Sequence, residues 1–378
     1  MLKSETKKHI QEQYLIQNFL IMKNSMKIKS TFLGVAFCII TNIMVAKTIF
    51  GGIEVGSKGI KMVVLDVKNI KKSQYQVVET WVENTGLSSG IGVDGRMTTT
   101  DIDKATMVVV KNLSVLKAKF NIDEKQIFII VSSGIGQADN IGDLIKKLRM
   151  STKQEITVTE SNLEAKLQFK GAIPPSRYPK SLLIDVGSAN CKGGYGETTN
   201  ENTVFYPLKL NFGTVTLTEK LQSGNGAMSV DNFIDAGLHF NGKLNQAIDN
   251  MIADRDNIRD KQNVYFTGGT VWAFFNLYKG TSTDNFAEFT LEDVENYDAI
   301  LRNNFKTFEL QAQNDRTSKE ILQVYSQKYL ISGTSILRDI LSKLGDLKNK
   351  KIYFVQNAQV AWLVSYIADN SGSTKVIY

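Results

Sequence analysis

Four short stretches of this chain hold residue types whose spacing suits phosphate chemistry. Residues 49–67 read IFGGIEVGSKGIKMVVLDV: an apolar run carrying Glu54, a Gly56-Ser57-Lys58-Gly59 turn, and a second apolar run. The same grammar returns near residue 185, where an apolar strand ends in Asp185 and a turn starting at Gly187-Ser188 runs on to Lys192. A third turn, Gly268-Gly269-Thr270, follows an apolar run at 262–267, and Glu164 stands in a helix start at 162–169. Gly56 and Gly59 are expected to let the backbone take positive φ and aim its N–H groups at an anion, and the second hairpin at Gly187 to offer amides to the same phosphates. Glu54 and Asp185 are then the expected ligands of Mg²⁺, which neutralises charge on a transferring phosphoryl group. The strand-to-helix junction at 268–270 adds amides and a helix dipole. Glu164 is chemically suited to orient or deprotonate water.

Each of these residues also has an ordinary reading. The first hairpin alone is a common tight turn, Glu164 a solvated helix residue, and Lys58 and Lys192 surface lysines. Cys191 reads as a small filler and His239 as a packing or surface residue. The repetition of an acidic glycine hairpin 130 residues on favours the functional reading.

Composition narrows the chemistry further. Two cysteines, Cys38 and Cys191, and two histidines, His9 and His239, rule out Cys-based zinc sites and His clusters, so any metal would be hard and oxygen-bound. Of the net charge of +7, the first 30 residues carry +4, leaving a bias too weak for nucleic acid. Lys27 and Lys29 precede an apolar run at 32–46, the pattern of a secretory signal peptide over 26–46, with 1–25 an extension upstream of the start at Met26. The chain is therefore expected to be exported, periplasmic or secreted; the alternative is an inner-membrane anchor at 32–46.

The remaining chain alternates strands and helices. A helix is expected from Ile102 to Phe120 on its three-and-four spacing, with Thr100 and Asp103 as a capping box. Pro174, Pro175 and Pro179 mark a boundary between domains at 47–172 and 180–378. Two halves that each open with an acidic glycine hairpin argue for a duplicated α/β fold with the ligand in the cleft between them.

At this point six segments in order, IEVGSKGIKMVV, ESNLEAKLQFKGA, LLIDVGSANCKGGY, LNFGTVTLTEKL, FTGGTVWAFF and LISGTSILRDIL, resemble the exopolyphosphatase/guanosine pentaphosphate phosphatase (Ppx/GppA) family of the actin-like ATPase superfamily. The resemblance covers about residues 49–341. It implies two ribonuclease H-like (actin-like ATPase) domains that hydrolyse the terminal phosphate of polyphosphate or pppGpp with Mg²⁺. It implies Glu164 as the catalytic glutamate, Glu54 and Asp185 as metal carboxylates, and Gly56, Ser57, Ser133, Gly187, Gly213, Gly268, Gly269 and Thr270 as phosphate-binding positions; Ser188 and the turn lysines Lys58 and Lys192 are expected to bind phosphate on their own chemistry, the lysines by neutralising it directly. Departures stand beside it. Lys192 occupies a glutamate position of the family, Thr216 an arginine position, and Lys58 an asparagine position. Two functions remain: an exopolyphosphatase-like hydrolase, or a catalytically inactive phosphate-binding or interaction protein of the same fold. The expected partner is polyphosphate or another phosphoanhydride, not nucleic acid, with membrane contact only through an uncleaved leader and a homodimer left open.

Overall fold

Two strand–turn–strand units start two sheets that repeat one topology. The computed structural model describes residues 48–69, 74–199, 202–222, 228–253, 255–282 and 284–372, so the expected leader and N-terminal extension lie outside the described residues. In the first sheet β1 (Ile49–Val55), β2 (Gly59–Asn69), β3 (Gln74–Asn84), β4 (Ile127–Val131) and β5 (Ile156–Val158) are ordered β3-β2-β1-β4-β5. In the second, β6 (Ser181–Val186), β7 (Cys191–Thr199), β8 (Asn202–Leu210), β9 (Asn263–Thr267), β10 (Phe286–Glu288) and β11 (Lys351–Val355) are ordered β10-β11-β9-β6-β7-β8. Apart from β10 the orders correspond strand for strand. β1 and β6 each pair antiparallel with the next strand and parallel with a strand reached by crossover, β4 or β9. This is a mixed α/β fold of two actin-like domains, as the duplicated grammar led us to expect.

Burial explains why β1 and β6 are central. All six residues of β6 and the last five of β1 are buried. Strands covered on both faces need near-continuous apolar sequence, so Glu54 and Asp185, each one residue from its strand end, stand out. The helix Thr99–Lys119 covers one face of the first sheet, its buried Ile102, Ala105, Val109, Leu113 and Leu116 packing with Ile53 and Val55. Its cap is Thr98, two residues before the expected Thr100, and it accepts from the Asp101 N–H at 3.1 Å. The other face is covered from far along the chain. Trp362, Leu363 and Ile367 of the last helix, Ala361–Asn370, pack on Val63, Leu65 and Ile130. Gly52 makes room for that helix, since a Cβ there would approach Ile367 Cδ1 at 2.5 Å. A segment assigned by sequence to the second domain thus completes the first.

The helix Ser161–Ala172 joins the two layers. Its Leu167 sits in the apolar cluster of Val63 and Trp362, while its Phe169 sits in that of Leu183 and Tyr265. Two helices not anticipated from sequence, Lys306–Asn314 and Arg316–Val324, flank the long helix Gln327–Ser342. Among the described residues no helix is long and apolar enough to cross a membrane.

Ile367→Ala tests the returning helix. Removing a fully buried side chain there is expected to cost about 2–4 kcal/mol in urea unfolding. A loss under about 1 kcal/mol would mean that the first sheet does not depend on this contact.

Candidate functional site

The site grows out of the register of the two hairpins. Glu54 on β1 lies opposite Lys61 on β2, and Asp185 on β6 lies opposite Lys192 on β7. Each carboxylate therefore faces a lysine seven residues later on the returning strand, and opposite charges directly across a ladder attract. Lys61 has no place among the expected site residues, although the shared spacing was present in the sequence.

In the first hairpin the pair is complete. Lys61 Nζ lies 3.1 Å from Glu54 Oε1 and 3.2 Å from Oε2, and also donates to the Gln359 carbonyl at 3.1 Å. The Trp362 indole N–H donates to Glu54 Oε2 at 3.1 Å. Burial raises the Glu54 pKa, and Lys61 opposes that rise.

In the second hairpin the lysine serves two carboxylates. Lys192 Nζ lies 2.7 Å from Glu164 Oε1 and 3.5 Å from Asp185 Oδ2, with side-chain exposures of 8% for Lys192 and 2% for Glu164. Burial alone would pull this amine down, but Glu164 and Asp185 outweigh it and hold its pKa above the ordinary value. The second Glu164 oxygen accepts the Ser133 N–H at 2.9 Å. One turn further along the same helix, Gln168 donates to Asp185 Oδ2 at 3.2 Å and to the Ala358 carbonyl at 3.2 Å. Spacing of four places Glu164 and Gln168 on one helical face, so one helix supplies partners to both members of the hairpin pair.

The first two glycine turns are each closed by one bond of their own backbone. Gly56 N–H closes its own turn on the Gly59 carbonyl at 3.1 Å, and Gly187 N–H does the same on Asn190 at 3.1 Å. Gly56 and Gly59 do not have positive φ, contrary to expectation. Close approach is what requires glycine here: a Cβ on Gly56 would meet the Gly59 carbonyl at 2.8 Å. Beyond Gly213, the first-turn amides of the helix Thr214–Gln222 are taken up by the second hairpin. Thr214 N–H donates to the Gly187 carbonyl at 3.0 Å and Val215 N–H to the Ser188 carbonyl at 2.8 Å. Thr216 Oγ1 accepts the Gly213 N–H and donates to the Ala189 carbonyl, each at 2.9 Å. At the third turn Gly268 has φ 102°. A Cβ on Gly269 would run into the Tyr325 hydroxyl, which is hydrogen-bonded to Ser188. Thr270 Oγ1 bonds the hydroxyl of Thr214.

Lys58 also turns inward. Its ammonium sits 4.0 Å from the ring centroid of Tyr329 and 5.6 Å from that of Tyr325, a cation–π contact. Nearby, Glu219 accepts the N–H groups of Gly90 at 2.9 Å and Gly92 at 2.8 Å, tying the first half to the second. Neither Tyr325, Tyr329 nor Glu219 was foreseen, because each lies far in sequence from the turns it meets. Cys191 is the expected filler: buried, its thiol donates to the Phe212 carbonyl at 3.1 Å, and burial raises its pKa.

This donor set does not fit Mg²⁺. Among the described residues no group of three or more His, Cys, Asp or Glu could hold a metal ion. Glu54 is engaged by Lys61 and Trp362, and Asp185 by Lys192 and Gln168, so the expected carboxylate pair is replaced by two ammonium-bound carboxylates. In the turn that holds Gly187 and Ser188, the carbonyls of both residues meet the first-turn amides of the following helix. Among the described residues, the buried polar atoms without a partner include Ser133 Oγ, Gln168 Oε1, Asn190 Nδ2 and Thr267 Oγ1.

Two sheets of corresponding strand order, each opened by an acidic hairpin, define an actin-like fold. Similar solved structures include a Ppx/GppA family member from Aquifex aeolicus (14% identity, TM-score 0.62, 86% of this chain and 99% of that one). An exopolyphosphatase from Cytophaga hutchinsonii matches at 14% identity and TM-score 0.65 over 85% of this chain and 98% of that one. An exopolyphosphatase-like protein matches at 16% identity and TM-score 0.68 over 84% of this chain and 97% of that one. These likenesses establish the fold. A bifunctional 3-dehydroquinate synthase/phosphatase of Fusobacterium nucleatum is 26% identical over 255 residues, 64% of this chain. The match spans 35% of that protein's length. No protein-family model matches the chain.

Lys58 gives a test of the closed cleft. Burial lowers its pKa from 10.5 to about 8, with Glu219 opposing. A folded value below the unfolded one means fewer protons in the folded state across that window, so this group makes stability rise with pH between about 8 and 10.5. Urea unfolding from just below pH 8 to near pH 10 is expected to show wild type gaining about 2 kcal/mol relative to Lys58→Met. Parallel pH profiles would mean that Lys58 is solvated.

Proposed function

We propose that this protein is a non-hydrolysing member of the Ppx/GppA-like fold, an exported binding or interaction protein. The observation that carries this reading is the 2.7 Å contact between Lys192 Nζ and Glu164 Oε1 in a buried setting. A carboxylate that acts on water needs that water within hydrogen-bond reach, and an ammonium held against one of its oxygens competes for that place. Here one Glu164 oxygen holds an ammonium and the other a backbone N–H. The named groups of the cleft nearly cancel, with Glu54, Glu164, Asp185 and Glu219 against Lys58, Lys61 and Lys192. That balance disfavours a long polyanion and favours a small polar ligand or a partner surface, for which Ser133 Oγ and Asn190 Nδ2 are buried groups without partners. Export rests on Lys27 and Lys29 ahead of the apolar run at 32–46.

A second reading keeps the enzyme: a hydrolase of terminal phosphoanhydride bonds in polyphosphate or pppGpp, with Glu164 acting on water. One observation favours it, the Ser133 N–H that holds Glu164 at the cleft floor in the manner of a positioned base. In that reading Lys192 must leave Glu164 when substrate enters.

Phosphate release from polyphosphate separates the two. The purified protein is expected to release no more phosphate than Glu164→Gln with or without divalent ions. Release that is lost in Glu164→Gln by about 100-fold or more would establish the hydrolase instead.

A further inference from the structure

We propose that Lys192 is the resident cation of this cleft, a covalently attached counter-ion that holds the acidic groups together so that closure needs no divalent metal. Three carboxylates from different parts of the chain feel its charge: Asp185 across the ladder, Glu164 from the bridging helix, and Glu54 from the first hairpin. Such groups would repel one another in a buried pocket, and a cation between them is the physical remedy. In most such clusters the cation comes from solution. In this chain β7 delivers it, because Lys192 lies directly opposite Asp185 and its long stem reaches Glu164 at 2.7 Å.

The arrangement is doubled. Lys61 stands at the same offset from Glu54 and binds both of its oxygens. The contacts around Lys192 also span the layers of the fold. Glu164 and Gln168 lie on the helix whose apolar residues enter clusters on both sheets, and both side chains reach the second hairpin. Charge and position together make Lys192 a positioning residue for the whole cleft floor.

This inference rests on the same Lys192–Glu164 contact as the proposed function, but its test uses no turnover. Thermal unfolding is followed for the intact protein in EDTA and in millimolar MgCl₂ or MnCl₂ at matched ionic strength. Wild type is expected to melt at the same temperature throughout. Lys192→Met, which leaves the carboxylates uncompensated, is expected to lose roughly 5–10 °C. The double variant Glu164→Gln/Lys192→Met should recover part of that loss, because neutralising the stranded carboxylate removes the penalty, and its folding keeps the test usable if Lys192→Met is insoluble. A saturable rise of the wild-type melting temperature with Mg²⁺ or Mn²⁺ would overturn the proposal. So would a Lys192→Met protein as stable as wild type. Hydrolysis in a protein whose stability ignores metals would sink the proposed function and leave the resident cation standing. Metal-dependent stability without hydrolysis would do the reverse.

Discussion

An ammonium group removed from water survives only when carboxylates compensate it, and Lys192 meets this condition between Glu164 and Asp185. Removing one member of a buried pair typically costs about 3–5 kcal/mol, whereas replacing the pair by well-packed apolar groups is often nearly neutral. The pair is therefore less a source of stability than a constraint: each member forbids loss of the other. Because Glu164 and Gln168 sit on the helix that packs against both sheets, that constraint reaches the relation between the layers as well as the chemistry of the floor.

The duplicated topology explains how such a site arises twice. β1/β2 and β6/β7 are antiparallel hairpins with the carboxylate one residue from the strand end and the lysine directly opposite. Tight turns then bring the hairpin tips to the cleft, where Gly187 and Ser188 carbonyls take the amides of the helix Thr214–Gln222. The carbonyls of the second turn thereby anchor the helix that follows Gly213. Tyr325 against Gly269 and Lys58 against Tyr329 continue the pattern, with the protein's own side chains filling the space between the loops.

Much of the fold was legible because local pattern decides it. Alternating apolar runs and glycine turns identified the two hairpins, the Pro-rich break at 174–179 fell between the sheets, and the three-and-four spacing after Ile102 marked a helix found at Thr99–Lys119. What failed depended on contacts between distant segments. The apolarity of residues 360–367 marked a helix but not the sheet that it covers. Lysines were matched within the turns, Lys58 with Lys192, whereas the strand register matches Lys61 with Lys192. Positive φ was assigned to glycines that close approach alone requires. The partners of Glu54 and Asp185 were hidden for the same reason: a carboxylate at a strand end can be named from sequence, but the side chains that meet it from distant segments cannot.

The central claim is that Lys192 and Glu164 are bound to each other in the folded protein. A double-mutant cycle of Lys192→Met and Glu164→Gln in urea unfolding measures that coupling directly. The structure predicts a favourable coupling of about 2 kcal/mol or more, with the double variant less destabilised than the two single losses combined. Additive losses, within about 0.5 kcal/mol, would show that the two groups do not meet and would contradict the account.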